Sequence, residues 1–262
     1  MSRRGWTLFA AMSVIWGIPY LLIKVAVDEI APSTLVLVRT SLAAALLLPI
    51  AFARGQVRPV LARWRPLLVY TAIEICVPWV LLGFAEQRLS SSLTGLLVAA
   101  VPMVGAVLAR FGPDHEPLGA RRLLGLLTGI AGVAALVGFE VGAGDMRAVA
   151  AVAVVAVAYA VGPMILARSL GDLPGLGVVA VSLGLAAVAY LPAGLLQAPH
   201  RWPSGRALAA VAGLAIVCTA VAFLLFFELV AEVGPARSVV ITYVNPAVAV
   251  LLGVLVLGES FT

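Results

Sequence analysis

With 262 residues, 63% of them hydrophobic and only 11% charged, and a mean hydropathy of +1.14, the chain lies far outside the range of soluble domains. The net charge of +5 comes without a basic run: sixteen of the seventeen basic residues are arginines scattered between apolar stretches, which excludes nucleic-acid binding as its explanation. An all-α polytopic membrane protein is the class that remains, because apolar runs of this length suit spanning helices and not barrel strands.

Nine runs are long enough to cross a hydrocarbon core of about 30 Å. MSRRGW leads directly into the first, 7–26, which therefore reads as a retained helix and not as a cleaved signal. It carries Trp16, Pro19, Tyr20 and Lys24, the only lysine. The second run, 34–53, follows Pro32 and carries Arg39. In the third, 67–85, the segment VYTAIEICVPWVLLG puts Glu74 mid-span, with Tyr70 and Pro78 four residues to either side and Trp79 beyond. An ionised carboxyl at that depth costs about 3 kcal/mol unless it is paired, protonated or facing water. One helical face thus presents a phenol, a carboxyl and a carbonyl freed by proline, a set that suits a substrate ammonium group or an exchangeable proton.

Ser90, Ser91 and Ser92 read as capping residues for the fourth run, 93–109, which contains Pro102. The fifth run is 123–139, and the sixth, 148–167, holds Tyr159 and Pro163 and is closed by Arg168. The seventh, 174–198, is almost wholly apolar with repeated Gly and Ala, which suits close helix contact and a scaffold role. The eighth, 207–227, ends at Glu228, with Glu232 expected in the loop beyond. In the ninth, 238–257, Thr242, Tyr243 and Asn245 precede Pro246, and a deep asparagine must find a partner. Cys76 and Cys218 fall inside spans and read as core packing.

A cytoplasmic N-terminus places eleven arginines inside (3, 4, 54, 58, 63, 65, 110, 121, 122, 168 and 237) and four outside (88, 147, 201 and 206). The positive-inside bias favours that orientation. Sliding the chain by 144 residues sets PYLLIK, from Pro19, against PMILAR, from Pro163, and Pro102 against Pro246. The repeat predicts two units, 1–143 and 144–262. Five spans per unit is odd, so the second unit would enter the membrane from the opposite side, giving an inverted repeat. Two units of 144 would make 288 residues, 26 more than the 262 here, about one further helix. The expectation is therefore a ten-helix plan with nine helices present in this chain.

The segments WGIPYLLIK with Pro32 and Arg39 downstream, GFAEQRLSSSLTGLLVAAVPMVGAVLA and AEVGPARSVVITYVNPAVAVLLGVLVLGE resemble EamA-type members of the drug/metabolite transporter superfamily. The resemblance covers essentially the whole chain. It implies ten helices in two inverted five-helix repeats, and export of amino acids, other metabolites or cationic drugs across the bacterial inner membrane.

Five prolines, Pro19, Pro78, Pro102, Pro163 and Pro246, are expected to break helices, four of them in repeat-related pairs that point to a midplane cavity. Glu74 is the acid expected to bind substrate or couple protons. Trp16, Tyr20, Tyr70, Trp79, Tyr159, Thr242, Tyr243 and Asn245 are the expected cavity lining. Lys24 and Arg39 are placed near the outer ends of their spans, where snorkelling explains them, and with Arg168 they are gate candidates. No HExxH, GxSxG, P-loop or metal-spaced His/Cys set occurs, so the sequence offers no catalytic residues, no metal site and no cofactor. The reading is an alternating-access exporter of small molecules in the lipid bilayer, facilitated or proton-coupled, of undetermined oligomeric state. The alternative is a lipid flippase or an accessory component for a lipid carrier.

Overall fold

The computed structural model describes residues 1–110, 124, 125, 128, 131, 132 and 145–259. Among the described residues eight helices are long and apolar enough to cross a membrane. They are α1 (Arg3–Val27), α2 (Pro32–Ala53), α3 (Trp64–Glu86), α4 (Ser91–Leu108), α5 (Met146–Leu170), α6 (Gly175–Leu196), α7 (Gly205–Val233) and α8 (Val240–Leu257). The run expected at 123–139 lies, apart from scattered positions, outside the described residues.

Helix boundaries follow from local chemistry. Ser2, Ser90 and Ser204 each accept a hydrogen bond from the amide three residues on, which satisfies one of the free N–H groups of α1, α4 and α7. Pro32 opens α2, where its missing donor is harmless, and Gly55 (φ 68°) and Gly258 (φ 67°) close α2 and α8 in the left-handed region. The largest departure from the sequence reading is at α7, which continues to Val233. Glu228 therefore lies inside the helix and not at its end, and Glu232 is helical and not in a loop. Arg4 donates to Glu228 at 2.6 Å and the Ser2 hydroxyl donates to Glu232, so the start of α1 supplies the partners that loop solvent would otherwise provide.

Three of the five expected proline breaks interrupt a helix. α1 is broken at 16–18, before Pro19; α4 at 99–100, before Pro102; and α8 passes from a 3₁₀ turn, Val239–Tyr243, into α-helix at Asn245, next to Pro246. Pro78 and Pro163 do not break their spans. α3 and α5 run on through them, with π turns nearby at Ala72–Cys76 and Leu166–Leu170.

Two of these irregularities recur at the repeat spacing. Adding 144 to the π turn 72–76 gives 216–220, within the π turn Ile216–Val221 of α7, and adding it to 99–100 gives 243–244, where α8 changes helix type. The packing recurs as well. α3 packs on α5 as α7 packs on α1, α4 packs on α5 as α8 packs on α1, and the pairs α2 with α6 and α4 with α8 join corresponding elements.

Contacts between connections fix which ends lie together. At one end Arg4 meets Glu228, and Arg63 holds both carboxylate oxygens of Asp172 (2.8 and 2.7 Å). At the other, Lys24 meets Glu86 and Leu89, Glu29 meets Ser204, and Glu259 meets Ser91 and Ser92. It follows that α1 and α3 run from the first end to the second whereas α5 and α7 run back. α2 and α4 run opposite to α6 and α8 in the same way.

Candidate functional site

The π turn of α3 turns Glu74 toward α5. Its carboxyl occupies the space beside Gly162, where any Cβ would overlap it, and Oε2 is buried without a hydrogen-bond partner. Tyr70, one turn earlier on α3 and buried, and Tyr159 of α5 both lie within electrostatic reach of that carboxyl. Tyr159 packs against both central apolar clusters, one around Tyr20, Leu82 and Leu214, the other around Leu47, Trp79 and Leu183.

Arg39 also lies within electrostatic reach of Tyr159. Its Nε donates to Thr219 Oγ1 at 3.0 Å, and its guanidinium carbon stands 3.6 Å from the centroid of the Trp79 ring. Thr219 lies in the π turn of α7 and donates to the Leu214 carbonyl at 2.7 Å, five residues back, which aims its oxygen at α2. Arg39 is 7% exposed. This corrects the expectation of a snorkelling residue near a rim: Arg39 is the eighth residue of α2, about 10 Å from its start, and a ring face and a hydroxyl hold it inside. The same interior thus contains a carboxyl and a guanidinium, with Tyr159 acting on both.

Other expected site residues are placed differently. Tyr20 is buried beside Gly95 and Ala249. Trp16 packs edge-on to Phe223 and tilted on Phe226, with ring centroids 5.8 and 4.8 Å away, so it joins α1 to α7. Asn245 bridges the two broken spans: with its amide turned so that nitrogen donates, it reaches the Ser13 carbonyl at 3.0 Å and the Ile241 carbonyl at 2.9 Å. Thr242 lies partly buried in the adjoining 3₁₀ turn. Tyr243, in the same 3₁₀ turn, is 67% exposed. Lys24 is partly buried near the end of its span. Its Nζ donates to the carbonyls of Glu86 (2.6 Å) and Leu89 (3.0 Å), at the C-terminal end of α3, where a cation is favoured. Arg168 is exposed in the last turn of α5, at the opposite end from Lys24.

The sequence reading missed Gly162, Thr219 and Glu86. Gly162 carries no signal in one sequence beyond its place before Pro163. Thr219 becomes visible only when the π turn brings it to Arg39. Glu86 sits where an apolar run ends, a position that reads as interfacial, yet it is fully buried. Chemically, the interior group can hold or release a proton at Glu74, or accept a cationic group there, with the Arg39 guanidinium acting on the same tyrosine, Tyr159.

Comparison with known proteins gives concordant results. A model of the EamA-like transporter family matches residues 3–138 and 146–262. The uncharacterized inner membrane transporter YedA of Escherichia coli K12 is 29% identical over 260 residues, which span 96% of this chain and 82% of YedA. YedA of strains O6:H1 and O157:H7 gives the same values. A protein of known crystal structure, 22% identical, matches with a TM-score of 0.72 over 98% of this chain and 90% of its own, a likeness of fold.

Proposed function

The chain belongs to the EamA-like transporter family, and we propose that it exports small metabolites, amino acids or drug-like compounds by alternating access, with Glu74 as the group that exchanges a proton or engages a cationic part of the cargo. The observation that carries this reading is the Glu74 carboxyl: mid-span, with Oε2 buried beside Gly162 and unpartnered, and with Tyr159 within electrostatic reach of both Glu74 and Arg39. The charge of a carboxyl held mid-span responds to a change in water access or to a nearby ammonium.

Alternating access is supported by the recurrence of one π turn, one helix interruption and the packing pairs at a spacing of 144 residues, together with the opposite run of corresponding helices. That is the arrangement expected of two inverted units, 1–143 and 144–262, which can rock about a site between them. In this reading the breaks at Pro19, Pro102 and Pro246 are the places where such rocking is absorbed, and the N-terminus faces the cytoplasm of an inner-membrane protein.

The test compares metabolites in the medium of cells expressing the chain, its Glu74→Gln variant or an empty vector, with insertion verified. One compound class accumulating outside with the parent, and its pH-dependent release lost in Glu74→Gln, is the expected result. Unchanged release in the variant would remove Glu74 from the mechanism, and transfer of labelled lipid in place of soluble cargo would favour a flippase.

A further inference from the structure

At the end of the bundle that carries Lys24, four elements converge: the ends of α1 and α3, the start of α4 and the residues after α8. Glu86, the last residue of α3, is fully buried, and neither of its carboxyl oxygens has a hydrogen-bond partner. The nearby ammonium of Lys24 is directed to main-chain carbonyls, those of Glu86 and Leu89, and not to the carboxyl. Glu259, just beyond α8, reaches across to α4. Its carboxylate accepts from the amides of Ser91 (2.7 Å) and Ser92 (3.0 Å) and from the Ser92 hydroxyl, and Gly253 leaves the room for this contact. Burial pushes the Glu259 carboxyl up, but those bonds from Ser92 and Ser91 outweigh it and hold the group below the usual carboxylate range, so it is ionised at neutral pH.

Among the described residues, the charged and titratable groups that act on Glu86 are Lys24 and Tyr20 of α1 and Glu259. Lys24 and Glu259 balance one another, so a neutral Glu86 leaves the group without net charge. An ionised Glu86 would add a negative charge beside Glu259 in a site closed to water, opposed by burial and by Glu259 and offset only by Lys24, whose ammonium is committed to main-chain carbonyls.

We propose that Glu86 is a proton-binding site whose neutral form closes a latch at this end of the bundle, the latch being Glu259 on Ser91 and Ser92 together with Lys24 on the end of α3. Loss of the proton turns both contacts against the closed arrangement. The carboxylate draws Lys24 away from the carbonyls of Glu86 and Leu89, and it repels Glu259 from the start of α4. The site is distinct from Glu74 and its closure does not depend on which cargo is carried.

The experiment measures how fast a membrane-impermeant thiol reagent reaches Thr94→Cys, a fully buried position one turn behind the latch, in the full chain bearing Cys76→Ala and Cys218→Ala. Rates are divided by those of Trp202→Cys, which is 92% exposed, to remove the reagent's own pH dependence. The proposal expects the normalised rate to rise roughly tenfold between about pH 5.5 and 8.5, as a population shift of that size requires. Glu86→Gln, which stays neutral, should hold the rate low at both pH values, and Glu259→Gln should leave it high at both. No rise in the parent, or a rise that survives in Glu86→Gln, would overturn the proposal. Glu74→Gln is expected to keep this response while altering export, so failure of one reading is visible apart from failure of the other.

Discussion

The contact between Glu74 and Gly162 joins two residues of which only one is visible to sequence reasoning. A mid-span carboxyl announces itself through its transfer cost, but a glycine among alanines and valines has no such mark, and its role exists only because the π turn swings Glu74 toward α5. Gly162→Ala would place a methyl where the carboxyl now lies, and neither α3 nor α5 can give way without disturbing the cluster shared by Tyr159 and Trp79. The expected effect is a destabilisation of about 1–3 kcal/mol from overpacking, measured by reversible unfolding in mixed micelles. Pairing it with Glu74→Gln leaves the bulk in place, whereas pairing it with Glu74→Ala should recover most of the loss. Equal stability of Gly162→Ala and the parent would mean that the carboxyl has another place to go, and that its burial beside α5 is not enforced.

At the level of elements, apolar run length located the spans well because the bilayer imposes that length directly, and serine caps and prolines marked several of their boundaries. What the sequence could not disclose was how each proline would be accommodated. Pro19, Pro102 and Pro246 interrupt their helices while Pro78 and Pro163 sit beside widened turns, and the choice depends on neighbours that arrive from distant parts of the chain. Arg39 was misplaced for a similar reason: span position alone favoured a rim, whereas Trp79 and Thr219 come from α3 and α7. Asn245 shows the same dependence. It was identified as a polar group in need of a partner, and its partners are the carbonyls of Ser13 and Ile241, one in each broken span. Asn245→Ala leaves those carbonyls without this donor at the contact of α1 with α8, and should cost about 1–3 kcal/mol. A loss below a few tenths in the same unfolding measurement would show that other donors take over.

For the molecule as a whole, the connections that meet at its two ends determine both stability and orientation. The Glu29 carboxylate accepts from the Ser204 amide and hydroxyl, and the hydrogen bonds to Ser204 lower its pKa from 4.5. A group whose pKa is lower in the folded state contributes stability above its unfolded pKa, and that contribution is lost as pH falls through the lower, folded value. The Tm difference between the parent and Glu29→Gln should therefore be constant near neutrality and shrink once the pH drops below 4.5; a difference that widens on acidification would reverse the assignment. Because Glu29 and Ser204 lie at the same end, and Arg63 and Asp172 at the other, two exposed positions suffice to orient the whole bundle. With Cys76 and Cys218 replaced by alanine, an impermeant thiol reagent added to intact cells should label Trp202→Cys and spare Arg58→Cys until the membrane is opened, if the arginine-rich connections face the cytoplasm. The opposite pattern would turn the bundle over and place Lys24, Glu86 and Glu259 on the cytoplasmic side. The direction of transport inferred for Glu74 would then have to be reconsidered, whereas the opposite run of corresponding helices would stand, since it follows from which connections touch and not from which side they face.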